Sequence, residues 1–441
     1  MASSSMGWSE LLPELMELIL DRLTSLSDHL RFASVCSSWR SSVVSNRCPR
    51  RHRLLPFLML PPADKEKDNN TTKIRPFFNL SSRKKIDKLH IPEIQNKWCC
   101  GSSQGWLLTV DAFKCPPRIQ LFNPVTRDSI QLPSVSKFTF QPRKYPPPQQ
   151  PSSVHYIHKA VLSSDPYSTD SSYIVVVIVT NQRWLAYWKP GADRWSTIDD
   201  EQWVCFEDII FYKGLLYAVS NHGHVVTYDF TSSSEKTNSI PIPIPIGKEI
   251  SGWERRICDM SYLVESLGEL FLVLRHYKWR YEDDEEVDID NSEDADYYKD
   301  IVVHPPFKSK TIKFWVRKLD DEENKPAKWI PIQSIGDDRI LFLGNNSSIS
   351  VSAQEFEFPE CCCKGNSIYF NDDHDYGPFE APQNGYHDMG VFNFETRRVE
   401  SFLDDQSSSP PPILRTPTFW FTPGPIGSAS INFICKLFNV D

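Results

Sequence analysis

Four clusters in this chain hold residue types that could do chemistry. Asp372-Asp-His-Asp375 is the densest, and carboxylates beside an imidazole are what general acid–base catalysis requires. It comes after the strand-like run Ser367-Ile-Tyr-Phe370 and reads first as the loop after that strand. His222-Gly-His224 would put two imidazoles on one face of a strand, but no third ligand stands near, so it reads as a turn. Asp288-Ile-Asp-Asn-Ser-Glu293 begins like a calcium loop; Glu293, however, stands where the sharp turn needs glycine, and no helices flank it. Cys99-Cys100 and Cys361-Cys-Cys363 lack the C-x-x-C spacing that lets two thiolates meet one zinc. Adjacent cysteines on a strand point to opposite faces, so these read as small buried apolar residues. No G-x-S-x-G, phosphate loop, dinucleotide fingerprint or kinase set occurs. The expectation is a chain without catalytic residues, metal or cofactor.

The elements that would position such residues are strands. Short apolar runs succeed one another: Trp106–Val110, Ile174–Val179, Leu215–Val219, Leu270–Leu274, Ile312–Val316, Ile340–Leu343 and Ser367–Phe370. Many short strands with turn signals between them mean an all-β domain. A glycine recurs directly before an apolar run at Gly105, Gly214, Gly268 and Gly365, at intervals near multiples of about 50 residues, the length of a four-stranded propeller blade. His224–Asp229 and Met389–Glu395 repeat a second strand ending in Asp, Asn or Glu, and Trp195–Ile198 and Trp329–Ile332 form another equivalent pair. The expected architecture is a beta-propeller of about seven blades over residues 75–436, since a ring covers the apolar faces that each blade leaves open. A pair of β-sandwiches is the alternative. Residues 51–74, polar and proline-rich from Pro56 to Thr72, read as a linker. Pro133–Ser153 reads as an extended loop with little to bury, and Glu282–Asp300 as an acidic loop.

Before the linker the periodicity is helical. Leu15, Leu18, Ile19 and Leu23 share one face of a 3.6-residue period, and Pro13 stands where an entering helix tolerates proline. Ser27 or Asp28 would cap a second helix whose face is Phe32, Val35, Cys36, Trp39 and Val43. So small a module buries little surface by itself, so part of its apolar set is left for a partner.

Composition narrows the classes. A formal charge of −9 argues against nucleic acid as a partner. There is no secretory signal, and the most apolar stretch, Ile174–Val179, is far too short to span a bilayer, so no membrane partner is expected. Eleven cysteines without framework spacing suit reduced thiols in cytosol or nucleus.

The N-terminal residues carry a resemblance. Leu12-Pro13-Glu14, Leu18-Ile-Leu20, Leu23, Asp28 and Val35-Cys36-x-x-Trp39 resemble an F-box across about residues 8 to 48, within a first domain of residues 1–50; His29 departs from the family's aliphatic preference. The resemblance implies binding to a Skp-type adaptor and through it a cullin, with Leu12, Pro13, Ile19, Leu23, Val35, Cys36 and Trp39 supplying adaptor-facing or module-core contacts. The layout, with phrases such as Lys213-Gly-Leu-Leu-Tyr217, is similar to plant-type F-box proteins ending in a divergent kelch-like propeller. The resemblance implies a small all-α module before an all-β domain, and a non-catalytic receptor that holds a protein target for ubiquitination. Two alternatives stay open: a propeller scaffold without a ligase connection, and a propeller hydrolase.

Overall fold

Three short helices open the chain: α1 (Pro13–Leu20), α2 (Leu26–Val35) and α3 (Ser37–Ser45). The computed structural model describes residues 8, 11–20, 22–23, 26–45, 56–59, 77–79, 84–86, 91–94, 97–111, 114, 116–138, 157–168, 172–179, 183–198, 205–220, 225–231, 239–242, 258–281, 307–321, 327–344, 346–353, 364–373, 388–401 and 419–421. Pro13 takes the first helical position, and the Leu12 carbonyl accepts from the amides of Leu15 (3.0 Å) and Met16 (3.1 Å). The one helix expected from Phe32 to Val43 is broken at Cys36. Ser37 and Ser38 come directly after it, and serine competes for backbone hydrogen bonds in helix interiors. The Cys36 carbonyl accepts from the Arg40 amide at 3.0 Å to start α3, and Arg40 Nε donates to the Ala33 carbonyl at 3.2 Å near the end of α2. Ser27 and Asp28 lie inside the first turn of α2 rather than before it.

Apart from single 3-10 turns at Pro92–Ile94 and Val135–Lys137, the rest of the regular structure is strand, in six sheets among the described residues. The first holds β1 (Phe57–Met59), β2 (Phe77–Asn79) and β3 (Lys84–Ile86). The second is β4 (Trp98–Ser103), β5 (Trp106–Asp111), β6 (Arg118–Phe122) and β7 (Ser129–Leu132); the third is β8 (Ile157–Leu162), β9 (Val175–Val179), β10 (Trp184–Trp188) and β11 (Ser196–Thr197). The fourth is β12 (Phe206–Tyr212), β13 (Leu215–Ser220), β14 (Val225–Tyr228) and β15 (Ser239–Ile242); the fifth is β16 (Cys258–Ser266), β17 (Glu269–Tyr281), β18 (Phe307–Asp320) and β19 (Lys328–Ile332). The sixth takes β20 (Arg339–Leu343), β21 (Ile349–Ser352), β22 (Ser367–Phe370), β23 (Gly390–Asn393) and β24 (Arg398–Glu400). Finally β25 (Phe419–Phe421) returns to pair with β1, completing the first sheet in the order β25-β1-β2-β3.

Apolar clusters fill the spaces between successive sheets. Trp106 and Val177 share one between the second and third, Ile178 and Leu216 between the third and fourth, and Val219 and Leu272 between the fourth and fifth. Val273 and Ile368 share the next, Phe342 and Trp420 the one after, and β25 touches β4. The ring closes, which is a beta-propeller, with the C-terminal strand zipped onto an N-terminal one. Among the described residues there are six sheets where about seven were expected; connections such as 133–156 and 282–306 lengthen a repeat, so dividing the chain by about 50 residues overcounts the described sheets.

Two further expectations need correction. The stretch read as a linker, residues 51–74, contains β1, whose Phe57, Leu58 and Met59 are buried between β2 and β25; three apolar residues suffice for a strand that is covered on all sides. The Pro133–Ser153 loop buries Phe138, whose ring stacks on Trp195 at 5.2 Å and meets Trp184 edge-on at 5.7 Å.

The glycine phrases fall in four different sheets. Gly105, Gly214 and Gly268 each close the turn between a first and a second strand with φ of 79°, 80° and 79°, after Gln104, Lys213 and Leu267 at φ 53°, 48° and 52°. Two successive left-handed residues make the primed turn that matches strand twist. Gly365 precedes β22 without such a turn, because β20 runs parallel to β22; glycine is needed there because a side chain would run into the Asp337 carbonyl oxygen. A second repeat is not apparent from sequence spacing. Asn123 Oδ1 accepts the amides of Val125 and Thr126, Asn393 Oδ1 those of Glu395 and Thr396, and Asp229 Oδ1 that of Thr231, turning the chain before the outermost strand in three blades.

Antiparallel order gives the ring two unlike faces. The tight turns at Gly105, Gly214 and Gly268 and the Asn123, Asp229 and Asn393 turns lie on one, the turn face. Every connection of fifteen residues or more (60–76, 133–156, 243–257, 282–306, 371–389 and 401–418) leaves from the other, the loop face. The acidic run, the calcium-like Asp288–Glu293, His222–His224, His374–Asp375 and Cys361–Cys363 lie outside the described residues.

Candidate functional site

The helical module presents more apolar surface than its own core takes up. Met16, Leu20 and Phe32 are buried together, with Leu11, Ile19, Leu23, Trp39 and Val43 packed around them. The Phe32 and Trp39 rings lie 4.2 Å apart, and Trp39 Nε1 donates to the Trp8 carbonyl at 2.9 Å. Leu15 and Leu18, expected on the same buried face as Ile19 and Leu23, are exposed instead. At about 100° per residue they occupy the arc beside the buried one, so α1 is apolar around more of its circumference than α2 and α3 cover.

The seven residues implied as adaptor-facing or module-core therefore divide. Leu12 (58% exposed), Pro13 and Val35 (57% exposed) face solvent. Ile19, Leu23 and Trp39 pack in the module core, and Cys36 is half-buried at the α2–α3 junction. Ile19 and Leu23 are thus core residues of the module. Leu15, Leu18 and Trp8 are exposed apolar side chains that the F-box resemblance did not assign to an adaptor surface.

Inside the propeller the polar groups are fixed and inward. Arg275 on β17 is wholly buried between the fifth and sixth sheets. Its guanidinium donates to Asp373 Oδ1 (2.7 Å), the Asn371 carbonyl (2.9 Å), the Asp388 carbonyl (2.9 Å) and Thr311 Oγ1 (2.7 Å). Asp388 also accepts from the Thr311 amide and hydroxyl, both at 2.8 Å, and the Tyr262 hydroxyl donates to Asp373 at 2.8 Å. Burial pulls the guanidinium down, but Tyr262, Asp388 and Asp373 outweigh it and hold it above its ordinary value; burial pushes Tyr262 well up. Asp372 and Asp373 of the candidate acid–base cluster are thus buried, and Asp373 is spent on holding two blades together. Neither carboxylate is therefore exposed: Asp373 accepts from Arg275 and Tyr262, and Asp372 is buried beside it.

A second buried pair joins the innermost strands. Lys159 on β8 meets Asp208 on β12 at 2.5 Å, and Asp208 also accepts the Leu263 amide of β16 at 2.8 Å. Beside it Glu207 accepts the Ser261 amide at 2.8 Å. β16 is the inner edge of its sheet, and these carboxylates occupy N–H groups that the ladder leaves open. Burial pushes both carboxyls up, with Lys159 drawing Asp208 back and Ser261 drawing Glu207 back. Neither Arg275 nor Lys159 carries a sequence signal of its role; their partners lie 98 and 49 positions away.

Among the described residues, no group of three or more His, Cys, Asp and Glu stands where it could hold a metal, and no helix is long and apolar enough to cross a membrane. Cys99 and Cys100 are buried on β4.

Known proteins resemble this chain along most of its length. The family model of the KIB1-4 beta-propeller matches residues 77–393, and that of the F-box domain matches residues 8–51. The F-box protein SKIP23 of Arabidopsis thaliana is 28% identical over 421 residues, covering 89% of this chain and 90% of the relative. The putative F-box protein At5g55150 of the same plant is 25% identical, covering 96% of this chain and 99% of the relative. The F-box protein At2g17036, also from Arabidopsis thaliana, is 24% identical, covering 90% of each.

Proposed function

We propose, from the premise that this chain belongs to the KIB1-4 beta-propeller family and carries an F-box domain, that it is the substrate-recognition subunit of an SCF-type (Skp–cullin–F-box) ubiquitin ligase. The helical module binds a Skp-type adaptor and through it a cullin; the propeller holds a protein target. The chain itself transfers nothing. Holding the target beside a ubiquitin-charged enzyme makes a bimolecular transfer nearly intramolecular. Its work would be in the cytosol or nucleus, where ubiquitin transfer and reduced thiols belong together. Its kelch-like character would rest on blade length, the innermost strands beginning at 98, 157, 206 and 258.

One observation carries this reading: Leu12, Leu15, Leu18 and Val35 are exposed on a module whose own core is complete without them. With Trp8 they make five exposed apolar side chains on about forty residues, which is costly unless a partner covers them. The buried state of Asp373 and Asp388 favours a binding propeller over a hydrolytic one. The test is binding of purified full chain to a Skp-type adaptor by calorimetry. A 1:1 complex supports the reading; no binding leaves a propeller scaffold.

A further inference from the structure

The fifth sheet is built unlike the others at its loop-face end. β17 and β18 run for 13 and 14 residues, where no strand outside this sheet has more than seven. Among the described residues, β16 pairs with β17 as far as Cys258 opposite Tyr277, and β19 pairs with β18 from Val316 to Asp320 alone. Four further pairs, from Lys278 opposite Lys310 to Tyr281 opposite Phe307, carry the hairpin about 13 Å past the first strand as a two-stranded ribbon.

The two sides of β18 differ. Thr311, Phe314 and Val316 are buried toward the sixth sheet, where Asp388, Phe370 and Phe392 meet them. The other side holds Lys308, Lys310, Lys313, Trp315 and Arg317, with Arg280 and Lys278 in register opposite the first two. Like charges directly opposite across two strands cost stability unless an anion neutralises them. Lys310 and Trp315 (49% exposed) are open to solvent, and Lys313 Nζ lies 4.7 Å from the centre of the Trp315 ring. At the turn-face end of the same sheet the cations are matched, Lys318 with Glu269 at 3.1 Å and Lys328 with Asp320 at 3.4 Å. Among the described residues no carboxylate meets Lys310, Lys313 or Arg317. An exposed tryptophan among cations without counter-charges has the composition of an interface anchor.

We propose that this side of the ribbon is where the propeller holds its target, and that it takes a short, extended acidic segment with an apolar residue against Trp315. Charge complementarity selects the acid. The open edge of β18 before Val316 selects a peptide, because an extended segment can pair with a strand edge. A nucleic acid does not suit the site: residues 282–299, which join the two strands, carry ten carboxylates and repel a chain of phosphates that runs past the ribbon. Calling the bound segment a target rests on the ligase reading above, and the experiment separates the two.

The probe is a short fluorescein-labelled peptide of glutamates around a central leucine, read by anisotropy on the full chain, with the glutamine version as control. The parent should bind the glutamate peptide about tenfold tighter than the control. Lys310→Glu with Lys313→Glu should lower that affinity about tenfold, and Trp315→Ala about fivefold. All three side chains touch solvent, so melting and adaptor binding of both variants should match the parent's. Equal binding of the two peptides, unchanged affinity of either variant, or tighter binding of single-stranded DNA overturns the acidic-segment assignment and leaves the ligase reading intact. Peptide binding that emerges only when residues 282–299 are replaced by a Gly/Ser linker also overturns it, because the chain's own acidic run then occupies the ribbon. Failure of the parent to bind adaptor, with peptide binding as expected, overturns the ligase reading and leaves the ribbon as an acidic-segment site.

Discussion

Arg275 and Asp373 lie 98 residues apart in sequence and meet at 2.7 Å, both side chains buried, between the fifth and sixth sheets. The guanidinium also lies 4.5 Å from the Phe370 ring, so its flat face is covered as fully as its edge is hydrogen-bonded. Two carboxylates, Asp373 and Asp388, converge on one cation. Such an arrangement specifies which blades adjoin; it need not add stability over a well-packed apolar core.

Removing the cation alone should therefore be costly. Arg275→Met leaves both carboxylates buried without a counter-charge and should lower unfolding free energy by about 3–5 kcal/mol. Urea denaturation of the full chain measures it. A loss below about 1 kcal/mol would mean that water reaches the site and the network is not buried as described.

His158 introduces a pH dependence. Burial pushes its imidazole well below the ordinary value of 6.5, with the cations Arg183 and Lys159 adding to the effect. A depressed base contributes stability that is present above its ordinary value and is lost as pH falls through the folded value. Thermal stability should decline from about pH 6.5 downward, and His158→Gln should flatten that decline. Parallel melting profiles of variant and parent between pH 7 and pH 5 would refute the assignment.

The exposed apolar face of the helical module gives a paired measurement. Leu12→Ala with Pro13→Ala removes groups that solvent already touches, so melting should stay the same. Adaptor affinity should fall about thirtyfold, the equivalent of about 2 kcal/mol for a buried interface anchor. Full binding by this variant would remove Leu12 from the interface.

Phe32→Ala should behave oppositely. Phe32 is buried against Met16 and Leu20 and packs on Trp39, so its loss should cost about 3–5 kcal/mol. A module of three helices has little reserve, and helix content and adaptor binding should disappear together. Retained binding would show that the adaptor, not the module's own core, holds these helices in place.

Much of this protein was determined locally and is legible in its sequence. Pro13 at a helix start, the apolar runs of the strands, and glycines closing turns at Gly105, Gly214 and Gly268 each reflect the conformational preference of a few adjacent residues. Periodicity distinguishes helix from strand for the same reason. It reports that a face is apolar, though, not what covers the face. Leu15 and Leu18 share the helical period with Ile19 and Leu23, and only the packing of α2 and α3 decided which pair is buried. Phe57–Met59 sits in a polar, proline-rich stretch and becomes a strand because β25, more than 350 residues later, supplies its second partner. The number of blades, the two unlike faces and the pairing of Arg275 with Asp373 all depend on which sheets adjoin. That is a property of ring closure: the free energy of covering apolar faces is shared among all the blades and is written in no one of them.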